Sequence, residues 1–321
     1  MQLIILGNIV ATSNSVDFSV SRDNLLEDAL RAAGALGVED SASSSQKTHA
    51  ARVLNMIVKA RSSDGISLWA RTTGYVLPFT GSNSTTMSST GGHVTTSYTQ
   101  TTLSAGAASG ATSIVVTSAT GFGDTYYVGV ELTDGSMSWH VQSGAASGTT
   151  VTLTAGLSGA AASGNYVYVY QTKLNRAVRV VEAYRHDQSS GVDVPVDVVP
   201  FSDYTTLSDK TDEGDPLQVT YDPQLNSGTI YVWPRFIDGK TVLTLIFQRQ
   251  FEDFDAAGDT PDFPQEWYLY LFYALAVALA PTYGLPVADR QLLRGEMKSA
   301  YEDVKGNEPE EGSFRLVPRC E

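Results

Sequence analysis

Apolar residues recur every three to four positions near both ends of the chain and alternate with polar ones between them. Leu25, Leu26, Ala29, Leu30, Ala33 and Leu36 follow Ser21, a good N-cap residue, and predict an amphipathic helix stopped by Gly37. A second helix is expected to begin within Ser43–Gln46, to place Ala50, Val53, Leu54, Ile57 and Val58 on one face, and to end near Asp64-Gly65. The short link between the two predicts an antiparallel helical hairpin. From Tyr75 the period changes to two. Tyr75–Phe79 reads as a short strand, and Pro78, which cannot donate to a ladder, argues for a sheet edge. Residues 80–100 are rich in Ser, Thr and Gly and poor in apolar side chains, the pattern of a linker or exposed loop at a domain boundary.

Residues 101–170 have the composition of a small all-β module. Strands are predicted at Ser113–Val116, Tyr126–Leu132, Met137–Val141, Thr150–Leu153 and Tyr166–Tyr170. Between them lie the hairpin signal Asp134-Gly135 and three copies of Ala-Ala-Ser-Gly, at 107–110, 145–148 and 161–164. After Lys173 come further strand patterns at Ala177–Tyr184, Val192–Val199, Leu217–Tyr221, Thr229–Trp233 and Thr241–Gln248, several of them alternating as half-buried antiparallel strands do. Pro264 suits the first position of a helix running to about Ala280, with Trp267, Leu271, Leu275 and Ala278 at helical spacing. Another helix is expected from Val287 to about Val304. The fold class predicted is α+β: a helical bundle built from the N- and C-terminal helices, an antiparallel β region, and an inserted small sandwich or barrel. Residues 1–100 and 171–305 would form the body, 101–170 the insertion, and 306–321 an extended tail.

Charge changes the picture. Lys and Arg number 21 against 35 Asp and Glu, a formal net charge of −14. Phosphate neutralisation supplies most nucleic-acid affinity, so DNA wrapping is disfavoured, whereas a carboxylate-lined passage lets a duplex slide without sticking. The apolar opening Met1–Val10 lacks the basic flank of a secretory signal and reads as a strand or arm. Leu269–Ala280, bounded by Pro264 and Pro281, is short for a membrane span and reads as a buried helix, so no membrane association is expected. The single Cys320 allows no intrachain disulfide.

Several segments, in their order, resemble the head-to-tail adaptor family of short-tailed and some long-tailed bacteriophages. They are Asn24–Arg31 and Ala51–Ile57, then Gly65-Ile66-Ser67-Leu68-Trp69, the run Asp197–Tyr204 within Pro195–Pro234, and Phe263–Pro286 with the break Ala280-Pro281-Thr282-Tyr283-Gly284. The likeness covers about two-thirds of the chain. It implies a structural protein of the virion, made in the host bacterial cytoplasm, that forms a ring of twelve copies at the head-tail junction. Such a ring would sit under the portal protein, meet tail or nozzle proteins, and help retain double-stranded DNA that passes through its lumen without specific binding. It further implies a tail that reaches the portal, for which Phe314, Arg315, Leu316 and Val317 have the apolar-basic-apolar character of a groove ligand. The insertion at 101–170 departs from the simplest family pattern and resembles modules that project from such rings.

Candidate chemistry is sparse. His49, His93, His140 and His186 fall in different segments without metal-ligand spacing. The carboxylate pairs Glu252/Asp253, Asp209/Asp212 and Glu310/Glu311 read as solvated acids, and Gly121-Phe122-Gly123 lacks the strand-to-helix context of a phosphate loop. No catalytic residue, cofactor or metal is expected. Trp69, Trp233 and Trp267, with Trp139, sit in apolar patterns that argue for core or subunit packing over a stacking platform. The basic cluster Lys59, Arg61 and Arg71 reads as a helix end that favours cations. Two other functions remain open: a tail-associated carbohydrate or receptor binder, tied to the 101–170 module, and a virion-associated cell-wall hydrolase, tied to Glu252 and Asp253.

Overall fold

The computed structural model describes residues 16–62 and 68–305. The chain divides into two compact units, one drawing on residues 16–62 and 251–305, the other on 68–250.

The first unit is helical. Helix α1, Arg22–Ala32, is capped by Ser21, whose hydroxyl accepts from the Asn24 amide. It ends earlier than Gly37, because Gly34 takes up the left-handed conformation (φ 74°) and the Ala35 amide folds back to Leu30 O at 2.9 Å. Helix α2, Ser44–Arg61, opens with a full capping box: Ser43 accepts from the Gln46 amide, and the Gln46 side chain accepts from the Ser43 amide. Its expected end at Asp64-Gly65 lies outside the described residues. Helix α4, Tyr268–Leu279, buries Tyr270, Leu271, Ala274, Leu275, Ala276 and Leu279, and α1, α2 and α5 (Val287–Lys305) pack on it. Between α1 and α2, Lys47 bridges Asp23 and Glu27 at 3.0 Å each, and its ammonium holds the Glu27 carboxyl below the usual range. The loop from Phe251 to Phe263 is pinned to these helices by Lys59 on Phe251 O, by Asn55 on both backbone groups of Phe254, and by the Arg22 amide on Asp259 O.

The second unit is β. Its main sheet joins β2 (Ser84–Met87), β14 (Gly228–Trp233), β13 (Gln218–Pro223), β11 (Val192–Val198), β10 (Arg179–Asp187), β16 (Thr241–Gln248), β1 (Arg71–Val76) and β3 (Val94–Thr95), in that order. Its two edge strands, β2 and β3, are joined by residues 88–93 alone, where the Gly92 amide donates to Thr86 O, so the sheet nearly closes into a barrel. Val76, Met87, Val94, Val219, Ile230, Val232, Leu243, Leu245 and Phe247 fill it.

The α+β class founded on a terminal helical bundle does not hold. Sixteen strands stand against five α-helices among the described residues, and the protein is mostly β. Much of the difference comes from the Ser/Thr-rich stretch 80–100, expected as linker. Its β-branched Thr residues fit a pleated sheet, the hydroxyls of Ser82 and Thr95 find backbone carbonyls, and its few apolar residues, Met87 and Val94, are buried. Nor is β1 an edge: it pairs with β16 on one side and β3 on the other, and Pro78 lies beyond its end. The β region is not wholly antiparallel either. Strands β11 and β13 run parallel, as do β12 (Glu213–Gly214) and β15 (Arg235–Phe236). A parallel pair needs a crossover, and residues 199–217 supply it, including the unforeseen helix α3, Phe201–Thr206.

Strands β4 (Thr99–Thr102), β9 (Tyr166–Tyr170), β6 (Tyr127–Glu131) and β7 (Met137–Val141) form a four-stranded sheet, faced by the pair β5 (Ser113–Val115) and β8 (Thr150–Thr152). The Asp134-Gly135 turn joins β6 to β7. Each Ala-Ala-Ser-Gly copy ends in a turn whose glycine has positive φ. The sequence of β9, Tyr-Val-Tyr-Val-Tyr, explains how this sheet is used: alternate side chains point to opposite faces. Val167 and Val169 enter the module's own core with Val128 and Val130. Tyr168 and Tyr170 instead join Leu77 and Val242 of the barrel in a second cluster, packed by Tyr75, Tyr98, Tyr127, Met137, Trp139 and Tyr166.

Candidate functional site

An apolar concavity lies wholly within the helical unit. It is a groove of about 620 Å³ lined by Phe18, Val20, Leu25, Asp28, Arg31, Ala32, Gln265, Tyr268, Leu269 and Phe272. Local sequence explains the lining. On α1, Leu25, Asp28 and Ala32 recur at three- and four-residue spacing and share a face; on α4, Tyr268 and Phe272 do the same. Val20 and Leu25 hold the two positions of a hydrophobic staple around the Ser21 cap. The extended chain 16–20 forms the remaining wall, anchored by the Gln265 side-chain amide on Val16 O at 2.8 Å and by Phe18 against Tyr268 at 6.2 Å between ring centroids. Phe18 stays 63% exposed and Leu269 57% exposed, large for apolar side chains in a chain this polar. At the rim Arg31 pairs with Asp28 at 2.9 Å and with Glu27 at 3.2 Å, and Lys47 also holds Glu27 at 3.0 Å, so the local charge is largely cancelled. This arrangement can receive an apolar, uncharged segment. The carboxylate in its described lining, Asp28, is held by Arg31.

The sequence had read the apolar run of α4 as buried. Its Leu271 and Leu275 are, but Leu269 and Ala278 face outward. Helical spacing shows which residues share a face; it does not show which faces find a neighbour.

The other candidate residues fall as follows. Trp267 is buried among Phe263, Tyr270 and Tyr301. Trp69 is half-buried in the turn Leu68–Ala70 that leads into β1. Trp233 is half-buried at the end of β14, where its indole N–H donates to Asp209 O at 2.8 Å. Phe314, Arg315, Leu316 and Val317, like Cys320, the Glu310/Glu311 pair and Met1–Val10, lie outside the described residues. Of the basic residues Lys59, Arg61 and Arg71, Lys59 holds Phe251 O and Asp253, Arg61 stacks over Tyr270 and Tyr301, and Arg71 begins β1. The ion pair with Lys59 also ties up Asp253 of the Glu252/Asp253 pair. Gly121-Phe122-Gly123 is a turn whose phenyl ring packs on the module core.

The histidines separate as well, and among the described residues no three His, Cys, Asp or Glu side chains gather as a metal set. His93 sits among aromatic rings. Its ring stacks on Trp139 at 3.8 Å between centroids, and its Nδ1 shares a 2.7 Å hydrogen bond with the Tyr170 hydroxyl. Lys173 lies over Tyr127, which stacks on Tyr170, and Lys173 donates to Gly91 O. Burial, with the nearby Lys173 ammonium, pushes the His93 pKa down to about 3, so the ring is neutral. The signal for this site is the tyrosine alternation of β9, but finding it also requires knowing that β3 exists. No protein-family profile matches the chain, and no curated protein matches it in sequence.

Proposed function

We propose that the protein is a structural head-to-tail adaptor of a bacteriophage virion, assembling as a ring of twelve copies under the portal protein and bridging it to tail or nozzle proteins. The observation that carries this reading is the exposed apolar groove of the helical unit, flanked by Phe18 and Leu269, on a chain whose net charge is −14. An adaptor needs two properties together. Identical subunits packed head to tail must each present two different, complementary faces, and apolar surface supplies the adhesion. The channel they enclose must let a duplex pass, and excess carboxylate keeps phosphates from binding. The ordered segment resemblance to adaptors points the same way. Both alternative functions place their chemistry elsewhere: in the 101–170 module, where Trp139 and Tyr170 are already engaged with His93, or at Glu252/Asp253, where Lys59 takes one carboxylate.

Mixing the purified protein with purified portal of the same phage tests the reading. Native mass spectrometry or negative-stain imaging is expected to show a ring of twelve copies on the portal. A protein that stays unassociated with portal, alone and in the mixture, refutes it.

A further inference from the structure

Helix α5 keeps its acidic and basic side chains on opposite flanks. Buried Ala300 and Val304, with half-buried Leu293 and Met297, form the face packed on α4. At 3.6 residues per turn, Arg290, Arg294 and Lys298 fall on one side of that face, whereas Asp289, Glu296 and Asp303 fall on the other. The two rows stand about half a turn apart. All six side chains are exposed except Arg290, which is half-buried. Among the described residues Lys298 alone of the six makes an ion pair, reaching Glu302 of its own helix at 3.7 Å. Helices α1 and α2 differ: there Arg31 and Lys47 take up Asp23, Glu27 and Asp28 within the unit. The helical unit thus matches its charges on α1 and α2 and leaves both rows of α5 largely unmatched.

We propose that these rows match each other between copies: the basic flank of one copy's α5 lies along the acidic flank of α5 in the next. The direction follows from geometry. Parallel neighbours with α4 on the same side bring opposite flanks together, whereas an antiparallel pair so placed would set like against like. Copies related by rotation about one axis carry their α5 helices in the same sense, so each copy uses one flank on either side and the contact repeats. Exposed ion pairs are individually weak, and such rows select partner and orientation more than they add affinity. Adhesion still comes from apolar surface. The contact rests on the adaptor reading for its ring, while the pairing of the flanks can be read without portal.

Reversing one row at a time tests it. Arg294→Glu with Lys298→Glu makes both flanks net acidic, and Glu296→Lys with Asp303→Lys makes both net basic. Half-buried Arg290 is kept, as is Asp289, whose carboxylate favours the helix N-terminus. Far-UV circular dichroism of each variant is expected to match the parent's. Each alone is expected to lose ring occupancy on portal by about tenfold. An equimolar mixture of the two, or one chain carrying all four changes, is expected to regain it. Rings from either variant alone, or no recovery in the mixture while the parent forms rings, overturn the proposal and leave the adaptor reading standing. A second readout omits portal: native mass spectrometry at low ionic strength is expected to show heterodimers in the mixture and monomers for each variant by itself. Both variants stay net acidic, so overall charge opposes that association and the matched flanks favour it. Monomers alone in the mixture overturn the proposal whatever the portal experiment gives. A parent that forms no ring on portal, with heterodimers present, refutes the adaptor reading instead.

Discussion

His93 shows how a residue with no distinguishing sequence context acquires a defined physical state. Four groups face it: Trp139 stacked on its ring, the Tyr170 hydroxyl on Nδ1, the edge of Tyr127, and the Lys173 ammonium. Burial opposes an imidazolium, and so does the Lys173 ammonium. Its pKa falls from an ordinary 6.5 to about 3, so the unfolded chain binds a proton over a range in which the folded chain does not. Stability is therefore fully present above about pH 6.5 and declines as pH falls toward 3, by at most about 1.4 kcal/mol per pH unit from this group. Urea titrations at pH 7 and pH 4 are expected to show that loss, and His93→Phe to flatten it; an equally steep acid loss in the variant would assign it to other groups. In the sequence His93 was one of four scattered histidines. Its neighbours come from β6, β7, β9 and the residues after β9, while His93 itself leads into the short strand β3, in a stretch read as linker, so nothing local announced the site.

Local chemistry was legible at the scale of elements, and distant pairing was not. Ser21 caps α1 as expected, α2 begins within Ser43–Gln46 as expected, Asp134-Gly135 turns the β6–β7 hairpin, and β7, β9 and β16 start and stop where alternation predicts. Strand β2, by contrast, exists because residues 84–87 find residues 228–231 across the sheet, and β11 runs parallel to β13 because a crossover returns it. No window along the sequence contains both partners of such a pair. Gly129 illustrates a constraint set across strands. It lies opposite Trp139, and a Cβ at that position would meet the indole at 2.5 Å. Gly129→Ala is expected to push Trp139 off His93 and to lower stability by about 1–3 kcal/mol, with an altered near-UV circular dichroism signal and an unchanged slope in urea. A variant as stable as the parent would show that the indole moves freely.

The molecule as a whole is two units, and its organisation is only partly written in the order of elements. Segments from both ends of the chain meet around α4, while the fold class is set by the β unit that lies between them in sequence. The groove was half legible: the spacing of α1 and α4 gave its walls, but the exposure of Leu269 depends on which face the other helices leave uncovered. In the β unit, Tyr168 donates to Gly239 O at 2.6 Å and Trp139 to Pro78 O at 3.2 Å, so one sheet of the module is fastened to the barrel face that carries Leu77 and Val242. Replacing residues 99–170 by a short Gly-Ser link, with Leu77 and Val242 changed to Thr to keep the bared face polar, is expected to leave a soluble, monodisperse protein with sheet-rich far-UV circular dichroism. Aggregation of that variant would show that the barrel cannot stand without the module.

The register of β4 and β9 carries a historical implication. Thr99, where the module begins, lies directly opposite Val169, where it ends, so the chain leaves the barrel and re-enters it at neighbouring points. Recombination at such a doorway can swap one cassette for another while the host strands keep their pairing. What each newcomer must then evolve is a tyrosine-bearing side that matches the waiting wall.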